Sequence, residues 1–314
     1  MRGVVSSLVA GVLLAVVGCG AERVETVRPA MEPALEGEAL FQDVLEQHRE
    51  LNRRVEAVGH QLLTSNADVC AGAAGRVART AGFSVHTETD YPEELRPLAR
   101  HLLGVGRGIS VRSTVEGGPA DAAGVREGDR VARVGGMPVA ESVVVDRVWA
   151  MAERRELQRE RVELGLRRDN SRVSVDVATM AACAYPVTVV YSGEPNAYTD
   201  GEGLYITSEL VRETESDSRL ALVLAHELAH ALLHDLDRPS PELELEADRA
   251  GLALLARAGF DMEAAITEMD RFGQTLVGGA RGTHPDHEAR VAALRKVADG
   301  IAARQATGED AWTY

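Results

Sequence analysis

The segment Ala225–His230 reads A-H-E-L-A-H and lies within an apolar stretch whose periodicity predicts a helix over residues 218–236. At about 3.6 residues per turn, His226 and His230 lie one turn apart on one face, where both imidazoles can bind one metal ion. Glu227 is rotated about 100° from His226, so its carboxylate can reach a water molecule beside that metal. Polar and charged side chains on a nearly buried helix destabilise the fold unless they have a partner. A zinc ion would be a partner for the two histidines and the glutamate. The pattern therefore predicts a zinc site.

A second predicted helix, from about Pro241 to Ala258, carries Glu244 and Asp248 four positions apart and hence on one face. A catalytic zinc site takes a third protein ligand and leaves its fourth position to water. Glu244 is predicted to be this ligand, and Asp248 to accept the second ring N–H of a ligand histidine. The alternative is two solvated charges on a surface helix, but the preceding H-E-x-x-H segment favours the ligand interpretation.

The order H-E-x-x-H followed by E-x-x-A-D resembles the gluzincin metallopeptidases of the HtpX and CAAX prenyl-protease type, above all their soluble, BepA-like periplasmic members. The resemblance covers most of residues 185–295. It includes Asn196 and Ala197 ahead of the zinc helix, and the segment Thr283–Pro285 followed by Arg290 near the end. It implies a zinc-dependent peptidase.

The resemblance also assigns roles to individual residues. Glu227 is expected to act as the general base, which takes a proton from the attacking water and delivers it to the leaving amine. His284 is expected near the zinc, as a regulatory plug or a transition-state contact. The substrate is expected to lie extended beside Asn196 and Ala197, pairing backbone to backbone with an edge strand.

An inserted module is predicted over residues 100–180. The segment Gly117–Val131 strongly resembles the bacterial PDZ signature, and two alternating strands meet at the turn Asp169–Ser171. A PDZ domain binds a peptide, usually a C-terminus, as an added strand beside a glycine-containing loop. By resemblance, that loop is expected near Leu103 and Gly104. A collapsed PDZ domain that binds no peptide remains the alternative.

The first residues of the chain predict its compartment. Arg2 precedes an apolar run of about 14 residues, shorter than the roughly 20 that a membrane-spanning helix needs, which is typical of a secretory signal. The segment Val16–Cys19 resembles the lipobox of bacterial lipoproteins, so residues 1–18 are predicted to be a signal peptide and Cys19 to be acylated. By the same resemblance, Gly20 stands where retention in the inner membrane would typically require Asp, so the outer membrane, facing the periplasm, is the expected location. The alternative is a plain signal peptide with an incidental cysteine.

Two cysteines remain beyond Cys19, namely Cys70 and Cys183. In an oxidising compartment two remaining thiols predict one disulfide. Two buried free thiols are the alternative.

Charge and composition narrow the class of partner. The chain has 34 basic and 49 acidic residues, a net charge of −15, and 12 aromatic residues. Nucleic-acid binding depends on cationic contacts to phosphates and on stacking surfaces, so this composition argues against a nucleic-acid partner. A hydrophobic content of 45% with 26% charged residues is that of a globular protein.

These observations predict an α+β protein. A mostly helical zincin (gluzincin) domain with a short mixed sheet is expected from residues 38–99 and 181–304, with a β-rich PDZ-like domain inserted between them and a linker over residues 19–37. The predicted function is a zinc endopeptidase, held in the cell envelope by its N-terminal lipid, that acts on unfolded or misassembled proteins. The alternatives are a non-proteolytic chaperone whose zinc site is occluded by His284, and a peptide-binding lipoprotein with a vestigial metal motif.

Overall fold

The computed structural model describes residues 38–312, apart from 92, 140–144, 234–239 and 273–286. The predicted signal peptide, Cys19, the linker and His284 therefore lie outside the described residues. Within the described ranges, each helix is too short or too polar to cross a lipid bilayer.

Helices and strands alternate irregularly along the chain. The helices are α1 (Glu38–Ser65), α2 (Ala67–Ala74), α3 (Arg96–Leu103), α4 (Pro119–Ala122), α5 (Val145–Arg155), α6 (Ser208–Glu213), α7 (Asp217–Leu233), α8 (Pro241–Arg257), α9 (Met262–Phe272) and α10 (His287–Ala306). The strands are β1 (Val77–Thr80), β2 (Phe83–His86), β3 (Ser110–Thr114), β4 (Arg130–Val134), β5 (Met137–Pro138), β6 (Arg161–Arg168), β7 (Ser171–Ala178), β8 (Met180–Cys183), β9 (Val187–Val190), β10 (Ala197–Thr199) and β11 (Leu204–Thr207).

Two separate clusters of buried apolar side chains divide the molecule. The larger cluster joins α1 and α2 to the helices from α6 onward and to a three-stranded sheet of order β10-β11-β9. In this sheet β11 runs parallel to β9 and antiparallel to β10. Helix α7 lies at the centre of the cluster, because apolar residues surround it on nearly every side.

The smaller cluster lies under a sheet of order β2-β3-β4-β6-β7, with β5 paired to β4. Strands β6 and β7 form a hairpin whose turn residues, Asp169 and Asn170, have φ angles of 47° and 66°. Two consecutive residues with positive φ are typical of a type I′ turn, the two-residue hairpin turn whose backbone twist matches that of the strands it joins. The hairpin predicted from the sequence is therefore present.

The sheet of the smaller cluster begins earlier than the sequence suggested. Strand β2 pairs antiparallel with β3, although residues 38–99 were expected to belong to the peptidase domain. The predicted boundary at residue 100 is too late, because a short strand before a long irregular connection gives no local sign of which sheet it will join.

A two-stranded ribbon connects the two clusters. The chain enters the smaller cluster through β1 and leaves it through β8, and these strands pair antiparallel, with Val77 opposite Cys183. Cys70 and Cys183 form the predicted disulfide, with Cα atoms 5.4 Å apart and a sequence separation of 113 residues. The disulfide therefore fastens the point where the chain departs for the PDZ-like region to the point where it returns.

Reducing this disulfide should destabilise the protein strongly. Opening a loop of this length releases conformational entropy in the unfolded chain equivalent to about 5 kcal/mol. Urea unfolding, followed by circular dichroism with and without dithiothreitol, should show that loss. A Cys70→Ser/Cys183→Ser variant should be equally destabilised and insensitive to the reductant. Identical midpoints for the oxidised and reduced protein would contradict the expected contribution.

Candidate metal centre

Three side chains converge between α7 and α8. The Nε2 atoms of His226 and His230 lie 3.0 Å apart. The carboxylate of Glu244 places Oε2 3.5 Å from His226 Nε2 and Oε1 3.6 Å from His230 Nε2. Glu244 is only 3% exposed and His230 only 5% exposed. The three residues that the sequence predicted as ligands therefore meet in one largely buried place.

The spacing of these donor atoms fits a zinc ion. Zinc binds imidazole nitrogen and carboxylate oxygen at about 2.0–2.2 Å in a tetrahedron, whose edges are then roughly 3.4 Å long. The distances of 3.0, 3.5 and 3.6 Å are of this size, and Glu244 contributes Oε2 to the distance from His226 and Oε1 to the distance from His230. Two imidazole nitrogens and one carboxylate form a donor set typical of catalytic zinc, which leaves the fourth vertex for water.

Asp248 holds the first histidine in place. Its Oδ1 atom lies 3.0 Å from Nδ1 of His226, which directs the opposite ring nitrogen, Nε2, toward the other two donors. Burial lowers the pKa of His226, but the carboxylates of Asp248 and Glu244 outweigh burial and raise it to about 10 in the metal-free site. A metal ion must therefore displace a proton from this ring in order to bind.

Arg290 in turn holds Asp248. Its Nε and Nη2 atoms donate to the two carboxylate oxygens at 2.8 and 2.6 Å, and both residues are about 5% exposed. Burial raises the pKa of Asp248, but this bidentate pair and His226 lower it to about 2, so the carboxylate stays ionised. Sequence analysis placed Arg290 in a matching segment but assigned it no role, because nothing local reveals a partner 42 residues earlier.

The start of α7 is fixed by a neighbouring helix. Glu268 of α9 accepts hydrogen bonds from the backbone N–H groups of Glu215 at 2.6 Å and Ser216 at 3.0 Å. The Ser216 hydroxyl in turn accepts from Arg219 N, an N-cap arrangement. At the start of α8, the Ser240 hydroxyl accepts from Leu243 N in the same way. Both ligand-bearing helices therefore have defined starts, which sets the rotation of their ligand faces.

Gly251 allows the two ligand helices to approach closely. A Cβ atom at this position of α8 would lie 3.0 Å from both the Cα and the backbone N of His226. Contacts this short require the backbone of α7 to move away. The glycine therefore sets the distance between His226 on one helix and Glu244 on the other, a requirement that sequence reasoning missed.

Glu227 lies on the helix that carries the two histidines, and the predicted substrate strand packs against that helix. Glu227 follows His226 on α7 and is half-buried. Strand β10, which includes Ala197, packs against α7 and is the terminal strand of its sheet. Asn196 extends the pairing of β10, because Asn196 O accepts from Thr207 N at 2.9 Å. The structure thus packs an edge strand against the helix that carries the two histidines.

The glycine loop predicted at Leu103 and Gly104 is not beside a free sheet edge. The strand that follows it, β3, pairs with β2 on one side and β4 on the other, so a peptide has no edge to join there. The terminal strand on that side of the sheet is β2, and the loop that precedes β2 is Thr80–Gly82. The predicted loop was therefore wrong, because strand order is a non-local property.

An apolar groove border is formed by β2 and α5. Phe83 at the start of β2 meets Trp149 of α5, with ring centroids 6.1 Å apart and planes inclined at 72°. Both side chains are only partly buried, as are Val85 and Val148 on the same two elements. This arrangement provides an open strand edge, a glycine-containing loop and an apolar wall, which are the features that bind a peptide C-terminus in a PDZ domain.

Comparison with known families agrees with this division. Residues 163–240 and 236–298 match the profile of peptidase family M48, and residues 78–165 match the PDZ domain. One part of the chain is thus similar to M48 metallopeptidases and another to PDZ domains, in agreement with the metallopeptidase and PDZ resemblances drawn from the sequence and with the α+β fold class. Comparison with curated proteins gives no match.

Solved structures similar to this chain include two from HtrA proteins. The HtrA3 PDZ domain bound to a phage-derived ligand is 21% identical, with a TM-score of 0.25, and the similarity covers 33% of this chain and 88% of that one. The HtrA-type protease AlgW with a decapeptide is 19% identical, with a TM-score of 0.26. That similarity covers 37% of this chain and 33% of AlgW.

A Gly251→Ala substitution should weaken zinc binding by about tenfold or more, because the added methyl group separates α7 from α8 and ligand geometry tolerates little displacement. Competition with a chelator for zinc measures this affinity. Gly300→Ala on α10 is the matched control, since no atom lies within 4 Å of its added Cβ. Equal affinities for the two variants would show that the close approach at Gly251 does not set the ligand positions.

An Arg290→Met substitution should lower zinc affinity about 10- to 100-fold, because it removes the group that orients Asp248 and, through it, His226. The same chelator competition applies. Arg295→Met is the control on the same helix, since its pair with Asp270 at 2.8 Å is half-exposed. An unchanged affinity in the Arg290 variant would mean that Asp248 keeps its position without help.

Proposed function

We propose that this protein is a zinc-dependent endopeptidase of the cell envelope that hydrolyses peptide bonds of unfolded or misassembled proteins. The observation that supports this most directly is the convergence of His226, His230 and Glu244 at one largely buried place, together with the packing of the edge strand β10 against α7. An unfolded chain is extended and offers free backbone groups, so it can pair with such a strand, whereas a folded protein cannot.

The residues around the centre divide the chemistry between them. A bound zinc ion would polarise the scissile carbonyl and acidify the attacking water. Glu227, one position from His226 on the same helix, accepts the proton from that water and delivers it to the leaving amine. The backbone of Asn196 and Ala197 holds the substrate extended, so that its carbonyl is presented at the centre.

The PDZ groove supplies selection. A substrate C-terminus would add as a strand to β2, with its carboxylate at the loop Thr80–Gly82 and its apolar side chain against Phe83 and Trp149. Anchoring through a lipid on Cys19 would keep the protein at the periplasmic face of the outer membrane.

A Glu227→Gln substitution tests the proposal directly. The amide cannot accept the proton from water, so cleavage of unfolded casein by the zinc-loaded protein should fall at least about a hundredfold while zinc stays bound. Glu246→Gln on α8 is the control, because this side chain is not one of the three converging donors. Cleavage is followed by gel electrophoresis and metal content by atomic absorption.

Equal cleavage by the wild type and the Glu227 variant would refute the role of Glu227 as base. A zinc-loaded wild type that suppresses casein aggregation without cutting casein would instead support the non-proteolytic chaperone.

A further inference from the structure

Helix α1 carries a polar stripe that faces the PDZ domain. Arg49, Arg53, Glu56 and His60 follow one another at steps of four, three and four residues, which places them on one side of the helix. Such a stripe on a helix of the peptidase core is the surface against which the PDZ domain is positioned.

Glu56 is the centre of this interface. Its Oε1 accepts from Arg112 Nη2 of β3 at 2.7 Å, and its Oε2 accepts from the Ser84 hydroxyl of β2 at 3.0 Å. The Ser113 hydroxyl of β3 donates to the same carboxylate. One side chain of α1 therefore contacts both β2, the strand expected to pair with a peptide, and its neighbour β3.

Two further contacts extend the interface along α1. Arg53 Nη2 donates to Glu127 of the PDZ domain at 2.5 Å, and Arg49 donates to the other oxygen of the same carboxylate. At the opposite end, the His60 ring lies against the glycine loop: a Cβ atom on Gly82 would be 3.2 Å from His60 Cε1. The contacts thus span three turns of the helix.

The other side of α1 belongs to the peptidase core. Val55, Val58 and Leu62 are at most 3% exposed, and α1 packs against α7, the helix that carries His226 and His230. Arg54 bonds Asp217, the first residue of α7, at 2.7 Å. A single helix is therefore fixed to the zinc helix on one side and to the peptide-binding strand on the other.

We propose that α1 holds the PDZ groove at a set distance from the zinc centre, so that the enzyme cleaves a bound chain only beyond a minimum number of residues from its C-terminus. This inference rests on the proposed peptidase function and on C-terminal binding at β2. The hydrogen-bonded ribbon β1–β8 and the disulfide Cys70–Cys183 at its base also restrict movement where the chain passes between the two domains.

Chain geometry determines how the cleavage rate depends on length. An extended chain spans at most about 3.6 Å per residue, so a scissile bond too near the anchored C-terminus cannot reach the zinc centre. Beyond the threshold the rate should fall only slowly, because the effective concentration of a tethered site decreases roughly as the −3/2 power of tether length. If the PDZ domain moved freely relative to the zinc centre, the cleavage rate would rise gradually with spacer length and show no sharp threshold.

The test is a set of fluorogenic peptides with one cleavable segment, a Gly/Ser spacer of increasing length and an apolar C-terminal residue. Each peptide is made with a free carboxylate and as an amide, and is cut by the zinc-loaded mature protein. Above a threshold length the free-acid peptide should be cleaved at least about tenfold faster than its amide, and below it no faster. The threshold should be sharp in the wild type.

A Glu56→Ala/Glu127→Ala variant should lose the sharp threshold but still cleave casein, because its zinc centre is untouched. Asp176→Ala is the control, since Asp176 pairs with Arg161 at 2.7 Å across the exposed β6–β7 hairpin and takes no part in the contacts with α1 described above. Thermal unfolding checks that each variant is folded, and if the double variant is not, the wild-type length series decides alone.

A free-acid preference that is independent of spacer length would overturn the fixed distance and leave the proposed function intact. Equal rates for acid and amide at every length would overturn C-terminal anchoring, and failure to cut any peptide or casein would overturn the peptidase function itself.

Discussion

The candidate site depends on the contact between α7 and α8. Two histidines on one helix and a glutamate on the other reach a common point only because Gly251 lets the backbones meet at His226. The pair Arg290–Asp248 then fixes the rotation of the His226 ring from a third helix. Each element supplies one requirement of the metal geometry, so the centre is a property of the packed domain and not of the motif alone.

Much of this site could be predicted from the sequence, because it follows from helical spacing. The steps from His226 to His230 and from Glu244 to Asp248 are both four residues, and a helix turns such spacing into a shared face. Arg290 and Gly251 could not be given their roles in the same way. Their importance arises from contacts with residues 42 and 25 positions away in the chain, which no local pattern encodes.

The PDZ region shows where local reasoning fails. The signature around Gly117–Val131 identified the domain correctly, and the hairpin at Asp169 was predicted from turn chemistry. The peptide loop was misplaced because a glycine-containing segment before a strand occurs twice, at Thr80–Gly82 and at Leu103–Gly106. Only the strand order distinguishes them, since β2 is terminal and β3 is interior.

Helix α1 illustrates how one amphipathic pattern can serve two domains. Its apolar residues recur at steps of three and four, as on one face of an amphipathic helix, and its other residues are mostly polar or charged. Among the charged residues, Arg53 and Glu56 make ion pairs with PDZ residues, while Val55 and Val58 are buried in the peptidase core. Individually, exposed ion pairs contribute little to stability. Several such ion pairs along one rigid helix, together with the disulfide at the connection between the domains, can instead fix the orientation of the PDZ domain. An orientation is fixed better by several weak contacts at separated points than by one strong contact.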